Sequence, residues 1–408
     1  MQEDIMIQVA VLGYGTVGSG VVKVIDTNHD SILAKAGVDL NVKYILDLRE
    51  FPGDPNEAKV VHDYEVIVND PEVKIVVETM GGTKPAYEFT KKALEAGKSV
   101  CTSNKELVAR HGTELIAVAK EHNASYMFEA SCGGGIPIIR PLRTCLSQDE
   151  IDEITGIVNG TTNYILTKMI EDGSEFEDVL KEAQQKGYAE RNPEADVEGH
   201  DACRKIAILS SLAYGKRVEF TDIYTEGITK ITSSDIVYAK AMNKTIKLLA
   251  YSHKEGEEVL AMVAPYLVGK DDPLSGVNGV FNAIFVHGNM LGDAMFYGQG
   301  AGKEATASAV VADVIEEAQV LGRSVMSQWS PEQQVMTDVA GTKKQFFVRV
   351  KDTSSVADVE AVFGKVEVVN AGVAGEYGFV TEEMSEAAYA ECAAKLDTIL
   401  NRIRIRAK

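Results

Sequence analysis

The chain lacks the features that mark secreted, membrane-spanning or nucleic-acid-binding proteins. Its five cysteines are odd in number and show no C-x-x-C spacing, so we expect neither a disulfide framework nor a zinc site, and a cytoplasmic location. No apolar run reaches about 18 residues, and no signal-peptide pattern is present, so we expect no membrane partner. Basic residues are few, 41 against 61 acidic ones, and the net charge of −20 argues against nucleic acid.

The composition is otherwise that of an ordinary soluble globular protein. Hydrophobic residues make up 45% of the chain and charged residues 25%. A length of 408 residues allows two or three domains.

A glycine-rich motif near the N-terminus predicts dinucleotide binding. The apolar run Ile7–Leu12 is typical of a buried parallel strand, and a helix is predicted from Thr16 to Ile25. Between them lies G-x-G-x-x-G, whose glycines permit a tight turn, approach of the pyrophosphate and close helix packing. The order strand, turn and helix favours a cofactor over a plain glycine turn. The predicted cofactor contacts here are Gly13, Gly15, Thr16, Val17 and Gly18.

The end of the next strand bears on the choice of cofactor. The strand Asn41–Leu46 is followed by Asp47 and then by Arg49. An acid at this place accepts from the ribose hydroxyl of NAD, whereas an arginine accommodates the extra phosphate of NADP. Both residues are present, so the sequence leaves the preference open, and either could also be a solvated turn charge.

Two further predicted strands, Val73–Thr79 and Lys98–Thr102, lead into loops where open α/β sheets bind ligands. Ser103 and Glu106 are spaced as a capping box, which places Lys105 in the first turn of a helix. A cation is disfavoured there by the helix dipole. We expect a cofactor phosphate or a substrate carboxylate to compensate it, the alternative being a solvated lysine.

Three segments of the middle region each have two interpretations. Phe128–Pro137 combines Glu129 with three glycines, which suits an oxygen cage for a hard cation or a hinge between domains. Ile157–Asn163 is a strand end whose hydroxyl and amide groups bind a ligand or cap a helix. The glycine-rich loop Tyr297–Glu304 either closes over the cofactor or forms a close-packed crossover to the first domain.

The most informative stretch runs from Gly187 to Lys205. On a helical wheel Lys205 falls in an apolar stripe formed by Ile208, Leu209 and Leu212, with Asp201 one turn before it. A buried lysine is costly unless it is paired or used. An ordinary ion pair four residues apart is one explanation. The acidic loop supplies the other, since it can hold a ligand's ammonium beside the lysine. The five carboxylates are Glu190, Glu194, Asp196, Glu198 and Asp201.

With these residues in hand, the chain resembles the homoserine dehydrogenases from about residue 5 to 325. The resemblance implies reversible NAD(P)-dependent interconversion of L-homoserine and L-aspartate 4-semialdehyde, a step toward threonine and methionine. Burial would lower the pKa of a catalytic lysine and Asp201 would raise it, and the sequence does not decide between them. The motifs that carry the resemblance are VAVLGYGTVGSGV, TSNKELV, FEASCGGGIPII, GIVNGTTNYIL, GYAERNPEADVEGHDACRKIAIL and YGQGAGKEATASAVVADV.

The resemblance also assigns roles to matching positions. Lys205 would donate and accept the proton on the substrate oxygen, and Lys105 would be a second lysine beside cofactor and substrate. Glu190 and Asp201 would hold the amino group, with Asp196 and Thr161 in the same pocket. Further cofactor contacts would be Gly187 and Gly302. A monovalent cation, Na⁺ or K⁺, would be held by Glu129 and by backbone oxygens of Cys132, Gly134 and Ile136.

The last part of the chain predicts a strand–helix–strand–strand–helix–strand unit of ferredoxin-like type. It resembles the ACT regulatory domain of many homoserine dehydrogenases. The usual Asp-x-Pro-Gly turn is replaced by Asp352–Ser355, without the glycine that admits an amino-acid effector. Threonine feedback and a ligand-free dimerisation module both stay open. The predicted elements are Gln345–Val350, Ser355–Phe363, Val366–Val369, Tyr377–Thr381, Ser385–Leu400 and a strand containing Ile403 and Ile405.

The expected fold is therefore α/β with three parts. Residues 1–135 form a Rossmann-like doubly wound domain completed by a helix at about 303–325, residues 136–302 an α+β catalytic and dimerisation domain, and residues 345–408 the ACT-like unit. A homodimer or homotetramer is expected. Two rival functions are an aspartate-semialdehyde dehydrogenase, which needs a nucleophilic cysteine with a base, and a non-catalytic NAD(P)H sensor.

Overall fold

A computed structural model describes residues 6–407, which form two compact units. The first unit comprises the chain up to Glu150 together with Ala207–Glu219 and Gly298–Gln333. The second comprises Ile151–Ile206, Phe220–Tyr297 and the chain from Gln334 onward. None of the helices in the described part of the chain has the length and hydropathy that crossing a bilayer requires.

Residues 6–150 alternate strands with helices. The six strands form one parallel sheet in the order β3-β2-β1-β4-β5-β6, which is the Rossmann order. The strands are β1 (Met6–Leu12), β2 (Asp39–Leu46), β3 (Val60–Val61), β4 (Val73–Glu78), β5 (Ser99–Thr102) and β6 (Tyr126–Met127). The helices are α1 (Thr16–Ala36), α2 (Tyr64–Val68), α3 (Ala86–Glu95), α4 (Lys105–Glu121) and α5 (Ile139–Thr144).

Residues 151–302 contain long strands and the helices that carry the acidic stretch. The strands are β7 (Ile151–Ile157), β8 (Lys216–Arg217), β9 (Tyr224–Thr225), β10 (Lys244–Glu255), β11 (Glu258–Gly269), β12 (Phe281–Gly288) and β13 (Gly292–Gln299). The helices are α6 (Gly160–Asp172), α7 (Phe176–Gln185), α8 (Glu194–Val197), α9 (His200–Tyr214) and α10 (Ser233–Ala241).

The remaining elements begin with one long helix and end with the tail. They are α11 (Lys303–Val320), β14 (Ser330–Gln333), β15 (Val335–Met336), β16 (Lys343–Lys351), α12 (Val356–Phe363), β17 (Val366–Val369), β18 (Glu376–Thr381), β19 (Met384–Ser385), α13 (Glu386–Ala393) and β20 (Ile399–Ile405).

One sheet runs through the second unit and includes the tail. Its main path is β13-β12-β7-β10-β11-β20-β16-β18-β17. The last strand β20 pairs in parallel with β11, opposing Arg404 to Tyr266, and antiparallel with β16. The buried Arg404 guanidinium also donates to the carboxylates of Glu226 and Glu386, at 2.7 and 2.5 Å. The tail strands are therefore hydrogen-bonded and ion-paired to the rest of this unit.

The long helix α11 packs on α1 in the first unit because glycine and alanine meet at the contact. A Cβ at Gly20 would lie 2.9 Å from the Cβ of Ala307 and 3.0 Å from the carbonyl oxygen of Lys303. Both helices also bury apolar side chains in one core with the parallel strands. The contact of α11 with α1 and with the core of the parallel sheet explains how a helix from later in the chain completes the predicted dinucleotide-binding domain.

Two predicted boundaries were wrong. Helix α1 does not stop at Ile25 but continues to Ala36, where Gly37 adopts a left-handed conformation with φ of 69°. The tail helix ends at Ala393 rather than at Leu400, because the chain from Ile399 joins a ladder in which that residue faces Val350. Strand pairing there overrides the local helical pattern.

Candidate active site

The turn after β1 has the geometry of an anion-binding loop. Gly13 has φ of +92°, and a Cβ at Gly18 would lie 1.8 Å from the carbonyl oxygen of Gly13, so neither position admits a side chain. Helix α1 begins after Gly15 with no side-chain cap and no acid in its first turn, as far as residues 6–407 show. Its first N–H groups suit the pyrophosphate of a dinucleotide.

A cleft of about 580 Å³ continues from this turn in the first unit, a volume common for small-molecule sites. Asp47 lies at its edge and accepts from the Tyr14 N–H at 2.8 Å. Arg49 holds the same carboxylate with two hydrogen bonds, of 2.9 and 2.8 Å, and this contact lowers the pKa of Asp47 far below its usual value. The lining residues are Gly13, Leu46, Asp47, Leu48, Arg49, His62, Tyr64, Met80, Pro85 and Phe89.

His62 is a lining residue that the sequence interpretation missed. It lies 2.6 Å from the carbonyl oxygen of Asp47 and 3.0 Å from the Glu50 carboxylate, and the contact with Asp47 raises its pKa. The short strand β3 brings it beside β2. No local motif marks this histidine, so only the strand pairing reveals it.

The loop after β5 confirms the position of Lys105 but not the predicted cap. Lys105 is the first residue of α4. The capping side chain is Asn104, whose Oδ1 accepts from the Leu107 N–H at 3.0 Å, so the capping box of Ser103 and Glu106 was wrong. Glu106 instead lies 3.2 Å from Arg110. Because α4 begins at Lys105, the N-cap position falls on Asn104 rather than on Ser103, and asparagine is a favoured N-cap residue.

The segment after β6 is packed rather than hinge-like. Glu129 is buried, and its carboxylate accepts three backbone N–H groups, from Ile138 and Ile139 at 2.6 and 2.8 Å and from Arg140 at 2.7 Å. It therefore serves the N-terminus of α5. The carbonyl oxygens of Gly134 and Ile136 accept no hydrogen bond within residues 6–407, and such oxygens suit a hard cation.

The glycine-rich loop Tyr297–Glu304 packs, through its residues from Gly298 onward, against the segment Phe128–Pro137. A Cβ at Gly134 would lie 2.2 Å from the carbonyl oxygen of Gly300, and the Gly135 N–H donates to Gln299 at 3.1 Å. Gly302 has φ of 127°, which favours glycine, and precedes α11. The close-packed crossover is thus observed, and Gly302 stands at a helix N-terminus without a side-chain cap in the described chain.

The second unit holds the acidic site. The Lys205 ammonium donates to the Asp201 carboxylate at 2.7 Å and to the carbonyl oxygen of Val158 at 2.6 Å. Both side chains are buried. Asn159 donates to Asp201 at 2.9 Å and to Asp196 at 2.7 Å. One lysine, one amide and two carboxylates are therefore joined at the end of β7, where charged groups reinforce one another out of water.

Asn159 has a double role that the sequence did not reveal. Its Oδ1 caps α6 by accepting from the Thr162 N–H at 2.9 Å, as predicted for this turn. Its amide N–H groups meanwhile hold the acids of a stretch about 40 residues further along the chain. The side-chain oxygen of Asn159 thus caps a helix, while its side-chain nitrogen contacts two of the predicted site acids.

The other predicted residues of the acidic loop lie at its exposed side. Thr161 donates to the carbonyl oxygen of Tyr188 at 2.6 Å, which fixes the loop to the start of α6. Gly187 is exposed with φ of +74°. Glu190 is exposed, and its backbone carbonyl accepts from Gln184 at 3.1 Å. The structure joins Asp196 and Asp201 but does not join Glu190 to them.

Two of the buried cysteines have environments that disfavour a nucleophilic role. Burial raises the pKa of the thiols of Cys101 and Cys203, which disfavours the reactive thiolate. None of the five cysteines forms a disulfide within residues 6–407, and no group of three or more His, Cys, Asp or Glu side chains there could hold a metal ion. Neither of these two thiols therefore suits the activated cysteine that the semialdehyde dehydrogenase alternative needs.

Family models match most of the chain. Residues 13–129 match the NAD-binding domain of homoserine dehydrogenase, and residues 137–315 match homoserine dehydrogenase.

Individual relatives extend over both matched regions. A homoserine dehydrogenase of Bacillus subtilis is 44% identical over 313 residues, 76% of this chain and 72% of the relative. One of Mycobacterium bovis is 40% identical and covers 96% of this chain and 94% of its own length. The crystal structure of a homoserine dehydrogenase from Thiobacillus denitrificans superposes with a TM-score of 0.90 at 33% identity, covering 98% of both chains. A hyperthermophilic archaeal homoserine dehydrogenase in complex with NADPH gives a TM-score of 0.66 at 31% identity, covering 78% of this chain and 98% of its own.

Proposed function

Because the chain belongs to the homoserine dehydrogenases, we propose that Lys205, Asp201 and Asp196 carry its substrate chemistry. It is an NAD(P)-dependent oxidoreductase that interconverts L-homoserine and L-aspartate 4-semialdehyde at a CH–OH group. The observation that carries the proposal is the buried Lys205 ammonium, held at 2.6 and 2.7 Å by a carbonyl and a carboxylate.

Lys205 is the proton donor and acceptor on the substrate oxygen. The nicotinamide cofactor supplies and accepts the hydride when it is bound. In the reducing direction the Lys205 ammonium stabilises the developing alkoxide and gives it a proton, and in the oxidising direction the neutral amine takes that proton back. Asp201 and the Val158 carbonyl fix the position of the nitrogen during both steps. Lys105 acts as a second cation beside cofactor and substrate.

The acids of the same stretch bind the amino group of homoserine. Asn159 orients Asp201 and Asp196, because its side-chain amide donates one hydrogen bond to each carboxylate. Glu190 adds a further carboxylate from the exposed side of the loop, and Thr161 steadies the loop through Tyr188. Substrate binding and proton transfer thereby share one hydrogen-bonded cluster, which restricts the reacting oxygen to the neighbourhood of the lysine.

The cofactor occupies the glycine turn and the cleft beside it. Gly13, Gly15 and Gly18 suit the pyrophosphate, with Thr16 and Val17 in the first helical turn, and we propose Gly187 and Gly302 as further contacts. Arg49 neutralises Asp47 and stands 60% exposed at the cleft, so it accommodates a 2′-phosphate. We therefore propose that the chain uses NADP(H) at least as well as NAD(H).

A monovalent cation is proposed at the segment after β6. The carbonyl oxygens of Cys132, Gly134 and Ile136 are the proposed ligands. The carboxylate of Glu129 accepts hydrogen bonds from backbone N–H groups at the start of α5 and contributes a negative charge near the cation. Na⁺ or K⁺ fits a cage of neutral oxygens better than a divalent ion does. Thermal midpoints measured in NaCl, KCl and choline chloride at equal ionic strength test this, and identical values would dismiss the site.

The tail is proposed to be an ACT-like domain. Its strand order β20-β16-β18-β17 and two helices support this. At the turn that lacks glycine, Ser354 Oγ lies 2.7 Å from Thr398 Oγ1, and Ser355 caps α12. An amino-acid effector such as threonine and a ligand-free dimerisation module remain the two proposals for it. Threonine inhibition of turnover, measured beside sedimentation of the full chain as dimer or tetramer, separates them.

The wider role proposed is a cytoplasmic step in threonine and methionine biosynthesis. The test of the activity is a spectrophotometric assay at 340 nm with L-homoserine, comparing NADP⁺ with NAD⁺. Reduction of either cofactor is expected. A chain that bound both cofactors without reducing either would be a sensor, and the proposed roles of Lys205 and its neighbours would fall.

A further inference from the structure

Glu78 is a wholly buried acid at the ligand-binding edge of the parallel sheet. It is the last residue of β4 and lies between Leu12 of β1 and Thr102 of β5 in the ladder. Its side chain makes no ion pair within residues 6–407, so its burial is not explained by a paired cation. It lies beside the turns that follow β4 and β5, which end in the candidate cofactor region.

The two carboxylate oxygens of Glu78 bind one group from each turn. Oε1 accepts from the Met80 N–H at 2.7 Å, and Oε2 accepts from the Thr102 hydroxyl at 2.6 Å. Thr102 in turn accepts from the Asn104 N–H at 2.9 Å. The Asn104 amide then donates to the carbonyl oxygen of Gly82 at 2.7 Å. The bonds form a closed circuit that joins both turns through one buried carboxylate.

The circuit ends next to a residue with a proposed function. Asn104 caps α4, so its position determines where Lys105, the next residue, begins the helix. Met80 lines the cofactor cleft. A shift of either turn would move Lys105 or the cleft wall relative to bound cofactor, and displacements of about 1 Å lower rates by about 100-fold.

We propose that Glu78 is a positioning residue that sets the geometry of the Met80–Gly82 turn and of the Ser103–Lys105 turn for the hydride-transfer reaction. The proposal rests on the proposed function for the placement of Lys105. Neither the sequence motifs nor the family roles stated above include Glu78. It acts through Met80, Thr102 and Asn104 and does not touch the reacting atoms.

The charge state of Glu78 gives the circuit a pH dependence. Burial raises its pKa to about 7. The groups that face it are the Met80 N–H, the Thr102 hydroxyl, the apolar Leu12 and the buried phenol of Tyr126, whose own pKa burial raises further. No second ionised group contacts Glu78 in the described chain. Below about pH 7 a proton on Oε1 would remove the acceptor of the Met80 N–H, whereas a proton on Oε2 would reverse the bond to the Thr102 hydroxyl, so the circuit is rearranged in either case.

Glu78→Gln tests the proposal in the full chain. The amide keeps the shape, but its nitrogen either loses the bond to the Met80 N–H or reverses the bond to the Thr102 hydroxyl, so kcat with homoserine is expected to fall about 10- to 100-fold, with a smaller rise in KM. The acidic limb of the kcat profile near pH 7 should flatten, because the titrating group is gone. Glu317→Gln is the matched control, since Glu317 is also wholly buried in the first unit with a pKa near 7 but lies in α11.

Several outcomes would overturn the proposal. Glu78→Gln with wild-type kcat and pH profile would do so, as would an equal loss in Glu317→Gln, which would show a general effect of removing a buried acid. If Glu78→Gln does not fold, Thr102→Val breaks the same circuit isosterically, and an unchanged kcat there contradicts the proposal. NADPH affinity, measured by fluorescence quenching, separates this test from the proposed function, because it responds to Met80 even in a chain that does not oxidise homoserine.

Discussion

The ammonium of Lys205 and the carboxylate of Asp201 lie 2.7 Å apart, one helical turn from each other, and both are buried. The pair is an i, i+4 ion pair, and it is also part of a cluster at the end of β7. A solvent-exposed pair of this spacing contributes little to stability, whereas a buried one needs further partners to offset desolvation. Val158 and Asn159 are those partners, and they explain how the lysine is tolerated where the chemistry needs it.

Removing the Lys205 ammonium should abolish most turnover. Lys205→Ala is expected to lower kcat by about 100-fold or more, the range for a general acid–base group, with NADPH affinity unchanged. The measurement is the 340 nm assay together with a cofactor titration. Lys168→Ala is the control, because Lys168 also pairs across one turn with Asp172, at 3.0 Å, on helix α6. Near-normal turnover of the Lys205 variant would remove this residue from the mechanism.

Truncating Asn159 should separate its two functions. Asn159→Ala removes the α6 cap, with a stability loss of about 1 kcal/mol, and also frees Asp196 and Asp201 from their common donor. Asn159→Ser restores a cap acceptor without the amide. Both variants should raise KM for homoserine and lose stability, because each lacks the amide that donates to the buried Asp201, but the alanine variant, which also lacks a cap, should unfold at the lower denaturant concentration. A serine variant with wild-type KM would show that the amide does not orient the acids.

Glu190 should affect homoserine binding and little else. Glu190→Gln removes one negative charge opposite the substrate ammonium, so KM for homoserine rises while kcat changes little. Steady-state kinetics at saturating cofactor measure this. Glu194→Gln, another exposed acid of the same stretch, is the comparison and should behave as wild type. Equal KM values in the two variants would move the amine site away from Glu190.

Arg49 should decide between the two cofactors. Arg49→Ala is expected to raise KM for NADP⁺ by about 10- to 100-fold, since a charge-assisted hydrogen bond contributes about 1.5–3 kcal/mol. KM for NAD⁺ should change much less, because NAD⁺ carries no 2′-phosphate. Lys43→Ala, which removes a cation of the preceding strand β2 that pairs with Asp70, controls for the loss of charge. A proportional loss with both cofactors would argue against phosphate recognition by Arg49.

Glu317 should make stability depend on pH. Burial raises its pKa from 4.5 to about 7, although the neighbouring hydroxyls of Ser99 and Ser125 act in the opposite direction. Because the pKa of this acid is higher in the folded than in the unfolded state, the folded state binds its proton more tightly. Ionisation of Glu317 therefore does not lower the free energy of unfolding below about pH 4.5, and lowers it progressively as the pH rises to about 7.

The matching experiment is denaturant unfolding of wild type and Glu317→Gln at pH 5 and pH 8. The substitution should stabilise the chain by up to about 3 kcal/mol more at pH 8, following the conversion of 1.36 kcal/mol per pKa unit. A difference of opposite sign, or none between the two pH values, would show that the carboxyl is not held in a desolvated site.

The sequence by itself determined the parts of the fold and site that depend on local pattern. The strand Ile7–Leu12 and the glycine turn after it follow from hydrophobic period and turn chemistry, which act over a few residues. The pairing of Asp201 with Lys205 follows from helical spacing alone. The family resemblance then gave the activity, because its motifs span both matched regions.

Only the tertiary structure decided the partners that are distant in sequence. Asn159 meets Asp196 and Asp201, and Glu78 meets Thr102, because strand ends bring separate segments to one edge. The tail strand β20 replaces part of a predicted helix because β11 and β16 offer it unpaired backbone groups on both sides. Such contacts depend on strand pairing and burial between segments that are distant in the chain, so they cannot be read from the pattern of neighbouring residues.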